Sequence, residues 1–447
     1  MAARPLVRGR PIGHAGWVTT TASGRRYRVH PAWLVAAVAF VALIGAAGFR
    51  ATPGALITPL QDEYGWSRGT ISLAVSVNLL LFGLTAPFAA ALMNRFGIRR
   101  VVSIALVLVA TGSGLTVFMT ASWQLVLLWG VLVGLGTGSM ALAFVATITG
   151  RWFVKHRGLV TGVLTAGGAT GQLVFLPVVA WLAAHHGWRS AALVVAAGAL
   201  AVVPLVLIFL REHPSDVGLP LYGATEVVTP TMPAGGAARN AIDSLRFAAR
   251  TRAFWLLAGG FAICGASTNG LIGTHFIPAA HDHGMPTTTA AGLLALVGLF
   301  DIVGTIFSGW LTDRVDSRIL LGVYYALRGG SLLVVSQLFA ASPHPSMLVF
   351  IIFYGLDWVA TVPPTVALCR EYFGDRGPVV FGWVFASHQV GAAIAATGAG
   401  LTRDHLGTYS PAWYAAGGLC LIASVLSLRL RKGGSPVPPR VVAAGAM

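Results

Sequence analysis

Apolar runs of about 20 residues recur along the whole chain, and they constrain its fold more than any other feature. About 20 apolar residues in a helix are long enough to cross the hydrocarbon core of a bilayer. Only 10% of the 447 residues are charged, whereas soluble domains carry about 25%. We therefore predict an all-α membrane protein with twelve spans, at residues 33–60, 70–93, 101–120, 123–149, 159–183, 189–210, 253–279, 288–312, 319–341, 347–369, 378–401 and 411–430.

The distribution of lysine and arginine predicts the orientation of these spans. The side that holds both termini carries 25 of these residues, and the opposite side carries three. Because cytoplasmic loops carry an excess of positive charge, we expect both termini in the cytoplasm and the chain in a plasma membrane, such as the bacterial inner membrane. The regions assigned to the cytoplasm are the tails 1–32 and 431–447 and the linker 211–252. Within the linker, residues 241–250 are predicted to form a short helix at the membrane surface.

The remaining composition argues against several classes of function. The net charge of +16 comes from short basic clusters between the spans, which does not indicate a nucleic-acid partner. The three cysteines lie far apart and have no metal-ligand spacing. Motifs for nucleotide hydrolysis or nucleophilic catalysis are absent from the sequence, so we expect no cofactor, no metal site and no enzyme activity.

A shift of 219 residues superimposes the second half of the sequence on the first. It places Arg95 on Arg314 and Arg151 on Arg370, and each matched loop falls at the same point in a six-span pattern. This repeat predicts two parallel six-helix bundles, at 33–210 and 253–430, related by a pseudo-twofold axis along the membrane normal. A substrate site is expected where the halves meet, near the middle of the bilayer.

Two matched cytoplasmic loops carry a recognisable motif. The loop after the second span reads AALMNRFGIRR at 90–100, and the loop after the eighth reads GWLTDRVDSR at 309–318. Both resemble the GxxxDRxGRR motif of the major facilitator superfamily, with Asn94 replacing the acid in the first copy and Asp316 replacing glycine in the second. The resemblance implies a gating turn whose carboxylate lies near a helix N-terminus of the neighbouring bundle. Its residues here are Asn94, Arg95, Gly97, Arg99, Asp313, Arg314 and Arg318.

A second stretch is similar to a narrower family. Residues 152–167 read WFVKHRGLVTGVLTAG, which resembles the fifth-helix motif of the monocarboxylate porter and oxalate–formate antiporter branch. The resemblance extends over residues 30–430. It implies a secondary active transporter that moves a small organic anion, a mono- or dicarboxylate, by alternating access. The implied partners are that substrate, the lipid bilayer, and a coupling proton or counter-anion.

Four charged residues fall inside predicted spans and away from the span ends, where charge is costly and usually functional. Arg50, beside Pro53 and Gly54, is expected to face the central cavity at a weakened or bent part of its helix and to bind the substrate carboxylate. The alternative for Arg50 is an internal ion pair. The other three are Asp301, Arg328 and Asp357.

Asp301 and Asp357 are the candidate proton carriers. Thr305 shares a helix face with Asp301, and it stands where monocarboxylate porters carry a substrate-binding arginine, so the anion site has moved to Arg50 or the substrate differs. Arg328 is expected to pair with Asp357 at a similar depth. Six uncharged or histidine side chains are further candidates for substrate contact, each with an interhelical hydrogen bond as its alternative: Asn78, Gln172, Asn269, His275, His388 and Gln389.

Two rival functions share the predicted fold. A proton-coupled exporter of drugs or other metabolites is the alternative, but Gly130 stands where drug antiporters carry an arginine in RxxxG, and the fifth-span GPxxGG turn lacks its proline at 167–171. A membrane receptor without transport activity is the third hypothesis, and the sequence offers no long soluble domain to transmit a signal.

Overall fold

The computed structural model describes residues 19–20, 26–27, 30–225 and 236–431. It confirms a twelve-span helical membrane protein, and we number its membrane-spanning segments span 1 to span 12. We call the face predicted to be cytoplasmic the inner face and the opposite face the outer face. The spans are Pro31–Tyr64, Arg68–Ala89, Ile98–Phe118, Ser122–Trp152, Leu159–His186, Trp188–Phe209, Arg252–Asp282, Thr287–Thr312, Ser317–Val335, Pro345–Phe373, Gly377–Leu406 and Ser410–Leu428.

Several shorter elements extend or connect the spans. The helix of span 2 continues to Phe96, and that of span 5 begins at Arg157. The linker contains a helix at Ala237–Ala248, which overlaps the predicted helix 241–250, and its Ala241 carbonyl accepts a hydrogen bond from the Trp383 indole of span 11 at 2.9 Å. The other short elements are the paired strands Thr19–Thr20 and Arg26–Tyr27 and the 3₁₀ turns Leu115–Phe118, Pro214–Val217 and Gly374–Arg376.

Away from the span ends, three of the twelve spans contain interruptions of the regular helix. Span 4 consists of Ser122–Leu125, a π-helical stretch Val126–Val133, Gly134–Ser139 and Leu142–Trp152. Span 7 consists of Arg252–Gly265, a π-helical stretch Ala266–Ile272 and Gly273–Asp282, and span 10 of Pro345–Asp357 and Val362–Phe373. Freed backbone groups are tolerated at membrane depth only when protein or a water-filled cavity satisfies them.

The two halves meet at residues that the 219-residue shift relates to one another. Gly54 of span 1 corresponds to Gly273 of span 7, and a Cβ added to Gly54 would lie 3.1 Å from the Gly273 carbonyl oxygen. Symmetry-related positions can touch only near the symmetry axis. The pseudo-twofold axis of the six-plus-six fold therefore passes close to this crossing of spans 1 and 7.

Spans 2 and 11 form a long seam between the halves. At its centre, a Cβ on Gly83 would lie 2.5 Å from the Gln389 Cβ, so only glycine permits this approach. Towards the inner face, the Phe88 and Trp383 rings pack edge to face, with centroids 5.8 Å apart. This seam holds the halves against each other through the thickness of the membrane.

Candidate functional site

The interruptions of spans 4 and 10 occupy equivalent places in the two halves. Span 4 leaves the regular helix at Met140 and Ala141, and the 219-residue shift carries these two residues onto Val359 and Ala360 in span 10. Span 7 carries the third interruption, and its repeat partner is span 1. Because irregular backbone at membrane depth must be satisfied by protein or a water-filled cavity, the interruptions of spans 4, 7 and 10 are the places where we look for candidate site residues.

A buried guanidinium occupies the interruption of span 10. The Arg328 side chain is fully buried, and its Nε donates to Asp357 Oδ2 at 2.6 Å. Its Nη2 donates to the backbone carbonyls of Asp357 and Trp358, which lie where regular helix bonding stops. The pairing expected from the sequence is present, and the same guanidinium replaces helix hydrogen bonds that the interruption removes.

Asp301 of span 8 reaches the same interruption from the other side. Its Oδ1 accepts hydrogen bonds from the Thr305 hydroxyl at 2.9 Å and from the Val359 backbone N–H at 3.1 Å. Gly304 makes this approach possible, because a Cβ there would lie 1.9 Å from the Leu356 carbonyl oxygen. Asp301 is 8% exposed, so its carboxyl group caps the broken helix in a nearly closed environment.

The charges of this cluster do not balance. Arg328 is engaged by Asp357, whereas the partners of Asp301 in the described part of the chain are a hydroxyl and a backbone amide. Asp357 Oδ1 is also buried without a hydrogen-bond partner among the described residues. Two carboxyl groups and one guanidinium thus meet at the interruption of span 10 inside the second bundle.

The proposed anion ligand Arg50 has a described backbone only; its side chain lies outside the described residues. The helix Pro31–Tyr64 runs through Arg50, Pro53 and Gly54 without interruption, unlike its repeat partner span 7. Asn269 occupies the equivalent position in span 7, within the π-helical stretch. Its side chain is half-buried, and its carbonyl accepts a hydrogen bond from the Thr274 hydroxyl at 2.9 Å.

Asn78 and Gln172 lie in the first bundle. Asn78 Nδ2 of span 2 donates to the Trp129 carbonyl at 2.8 Å, and Trp129 lies inside the π-helical stretch of span 4. Gln172 of span 5 is half-buried. The contact of Asn78 matches the alternative given to it from sequence, an interhelical hydrogen bond.

His388 and Gln389 lie on span 11 at the seam between the halves. The His388 imidazole stacks on the Phe385 ring, with centroids 5.9 Å apart, and is tilted against Phe261 at 4.9 Å. Gln389 is fully buried, and neither its amide oxygen nor its amide nitrogen has a hydrogen-bond partner among the described residues. A buried amide without partners is costly, which makes Gln389 a candidate for contact with a polar ligand or water in the central site.

His275 lies near the outer end of span 7 instead of at the span 10 interruption. It is fully buried, and its ring nitrogens contact the Ala396 carbonyl oxygen at 2.7 Å and the Tyr409 hydroxyl at 3.2 Å. Tyr409 in turn contacts Arg68 of the first half. Sequence reasoning did not identify Arg68 or Tyr409 as functional residues, because each lies at a span end, where polar side chains are common.

The first of the two motif loops is held by a residue outside the motif. Glu212 accepts hydrogen bonds from the backbone N–H groups of Ile98 at 2.6 Å and Arg99 at 3.0 Å, at the start of span 3. A Cβ on Gly97 would lie 2.7 Å from Glu212 Oε1, and the φ of Gly97 is +87°, so the motif requires glycine here. Glu212, at the start of the linker, supplies the carboxylate that caps span 3.

The remaining motif residues have separate contacts. Asn94 accepts a hydrogen bond from Arg151 at 2.5 Å, and the Arg95 guanidinium lies over the Phe96 ring at 5.3 Å. In the second loop Asp313 is exposed and Arg314 lies over the Trp310 ring at 4.2 Å. Asp316, which pairs with Arg318, accepts a hydrogen bond from the Arg318 N–H. The capping carboxylate of the second loop is thus Asp316, in the position where the motif has glycine.

Comparison with known proteins agrees with this architecture. The family model described as Major Facilitator Superfamily matches residues 38–369 and 269–446. The chain is 27% identical to monocarboxylate transporter 13 of Bos taurus over 419 residues, covering 90% of this chain and 91% of the relative. It is 26% identical to human monocarboxylate transporter 11 over 413 residues (89% and 82%), and 26% identical to the uncharacterized MFS-type transporter YcxA of Bacillus subtilis over 382 residues (83% and 88%).

Solved structures show the same fold at lower sequence identity. A D-xylose–proton symporter superimposes with a TM-score of 0.68 at 15% identity, covering 89% of this chain and 97% of that one. A bacterial homologue of the human lysosomal transporter Spinster superimposes with a TM-score of 0.67 at 15% identity, covering 90% and 96%. With its twelve spans, its repeated halves and the family match over most of its length, the chain belongs to the Major Facilitator Superfamily of membrane transporters and is related to the monocarboxylate transporters.

Proposed function

We propose that the chain moves a small organic anion, a mono- or dicarboxylate, across the plasma membrane by alternating access, in proton symport or in exchange for another anion. The substrate class is supported by two relatives, monocarboxylate transporters 13 and 11, which align over 90% and 89% of this chain. The termini lie in the cytoplasm in this proposal, as the excess of basic residues on the inner face predicts.

The observation that carries the proposal of proton coupling is the unbalanced cluster at the interruption of span 10. Asp301 forms no ion pair among the described residues, while the Arg328 guanidinium is paired with Asp357. A carboxyl group in this setting gains from being neutral when the cluster is dry and can ionise when the cavity opens to water. Asp301 is therefore the proposed proton carrier, and Asp357 the coupled second carboxyl group.

The proposed substrate-binding residues come from spans of both halves. Arg50 supplies the cation for the substrate carboxylate, and Asn269 holds the equivalent position in the second half. Gln389 offers an amide with no other partner among the described residues. The histidines and remaining amides complete the proposed set: Asn78, Gln172, His275 and His388.

The drug-exporter alternative is weakened by the packing of span 4. A Cβ on Gly130 would already lie 2.9 Å from the Val77 side chain of span 2. The arginine that drug antiporters carry at this position would therefore require spans 2 and 4 to move apart.

The test is uptake of radiolabelled monocarboxylates and dicarboxylates into proteoliposomes, with and without an imposed proton gradient. We expect accumulation of at least one carboxylate that the gradient drives, and we expect Asp301→Asn to lose the gradient-driven part by about tenfold or more, because an amide cannot release a proton. Asp62→Asn is the matched control, since Asp62 is exposed near the outer end of span 1.

Each other outcome has a definite meaning for the proposal. Uptake that ignores the proton gradient but needs an internal carboxylate supports anion exchange and removes the proton-carrier role of Asp301. Absence of uptake of every carboxylate, in protein that binds lipid and remains folded, contradicts the proposed substrate class. Efflux of cationic dyes instead would support the exporter alternative.

A further inference from the structure

A network of charged side chains joins the two halves at the outer face. Arg68, at the start of span 2, forms a bidentate ion pair with Asp282 at the end of span 7, with both N–O distances 2.7 Å. The two side chains are 6% and 16% exposed. Arg403 of span 11 also donates to Asp282, at 2.7 Å. Planar, bidentate and mostly buried pairs of this kind are stronger than ordinary surface ion pairs.

A second contact in the network caps a helix of one half with a residue of the other. The carboxylate of Asp404 accepts hydrogen bonds from the backbone N–H groups of Arg68 at 3.1 Å and Gly69 at 2.7 Å. The first N–H groups of a helix have no partner within their own helix. The protection of these two amides therefore comes from the opposite half, and it exists only while the outer ends are together.

A chain of directed hydrogen bonds runs from this network into the membrane. His275 Nε2 lies 2.7 Å from the Ala396 carbonyl, which can only accept, so Nε2 carries the hydrogen. In the neutral imidazole Nδ1 is then an acceptor, and it accepts from the Tyr409 hydroxyl at 3.2 Å. The Tyr409 oxygen is left to accept from Arg68 Nη1 at 3.1 Å. Every donor in the chain has an acceptor only when His275 is neutral.

We propose that Arg68, Asp282, Arg403, Asp404 and Tyr409 form the outer gate of the transporter and that protonation of His275 opens it. This inference rests on the alternating access proposed above.

A protonated His275 carries a hydrogen on both ring nitrogens, so it cannot accept from Tyr409. The Tyr409 hydroxyl oxygen would then have to accept from both Arg68 and the imidazolium of His275, and the hydroxyl hydrogen of Tyr409 would lose its acceptor. A new positive charge on His275 would also face Arg68. All three changes weaken the closed gate, so acidification opens the outer face.

The surroundings of His275 support this direction of the effect. The charged groups that face it are Arg68 of span 2 and Asp404 of span 11, and Tyr409 before span 12 is the remaining titratable neighbour. Asp282 neutralises Arg68 from span 7 but contacts Arg403 as well. A positive charge on His275 would therefore repel Arg68, whose own charge is already paired with Asp282.

The test is residue-resolved hydrogen exchange of the full chain in lipid nanodiscs, without substrate, between about pH 7.5 and about pH 5.5, which bracket the usual pKa of histidine. After correction for the intrinsic exchange rate, we expect protection of the Arg68 and Gly69 amides to fall on the order of tenfold at the lower pH. This is the factor by which loss of one hydrogen bond, that between Tyr409 and His275, is expected to shift the equilibrium towards the open gate, on the order of tenfold. The Thr70 amide is an internal control, because it donates to Ser67 of its own half.

His275→Gln is the decisive variant, since glutamine keeps a donor and an acceptor but cannot take up the proton. We expect it to abolish the pH response of the two amides, whereas His281→Gln, at an exposed histidine near the same face, retains it. If His275→Gln does not fold, Tyr409→Phe replaces it and should give low protection at both pH values.

Two results would overturn the proposal: an unchanged pH response in His275→Gln or Tyr409→Phe, or no response in the unmodified chain. Because the measurement needs no substrate, its result is independent of whether carboxylates are transported.

Discussion

At the scale of single residues, the cost of charge in lipid was the most informative rule. It singled out four intramembrane charges from sequence, and three of them, Asp301, Arg328 and Asp357, converge on one interruption of span 10. The rule works because such groups must find partners inside the protein. It could not reveal the partners of Asp301, since one of them is the backbone N–H of Val359, which carries no sequence signal.

Arg328→Met tests the structural weight of the buried cluster. Removing the guanidinium leaves Asp357 and the carbonyl oxygens of the interruption without their donors, so we expect a loss of about 3–5 kcal/mol in the free energy of unfolding. Denaturant titration in mixed micelles measures this loss.

The control for Arg328→Met is Arg246→Met, which removes an ion pair whose side chains are 74% and 54% exposed. We expect a change of about 0.5 kcal/mol or less for this variant. Equal losses in the two variants would show that the Arg328–Asp357 pair has no special role in stability.

At the scale of elements, the number of spans and a helix in the linker could be predicted from the sequence. The interruptions of spans 4, 7 and 10 could be predicted only in part. In span 10 the pair Pro363–Pro364 comes directly after the broken turn, and a residue before proline avoids the helical region, so a signal was present. Span 4 breaks at Met140 and Ala141 with no proline nearby. Span 1, where Pro53 and Gly54 predicted a weakened or bent helix, runs on unbroken.

Gly304→Ala tests the packing of span 8 against span 10. An added Cβ would lie 1.9 Å from the Leu356 carbonyl oxygen, so the two spans must separate. We expect a loss of about 1–3 kcal/mol in unfolding free energy, together with reduced proton-driven uptake, because Asp301 is drawn away from Val359.

Gly292→Ala is the matched control for this variant. It lies in the same span with nothing within 4 Å of an added Cβ, so we expect no loss and a gain of up to about 1 kcal/mol from helix propensity. A loss in Gly292→Ala as large as that in Gly304→Ala would contradict the explanation by close packing.

At the scale of the whole molecule, the 219-residue repeat predicted the two bundles, and the contact of Gly54 with Gly273 places their axis. The contacts across the seam could not be predicted in the same way. Arg68 and Asp282 are 214 residues apart and stand on different halves, and no local sequence pattern relates the two positions. The central question for the molecule is whether movement of the halves couples a proton to an organic anion.

The most direct measurement is the simultaneous recording of proton and carboxylate influx in proteoliposomes, with a trapped pH indicator and a labelled substrate found by the uptake screen. We predict that addition of the carboxylate causes proton influx in a fixed ratio in the unmodified chain, and that Asp301→Asn transports without proton influx or not at all. Carboxylate influx with no accompanying proton in the unmodified chain, or undiminished proton influx in Asp301→Asn, would contradict the account.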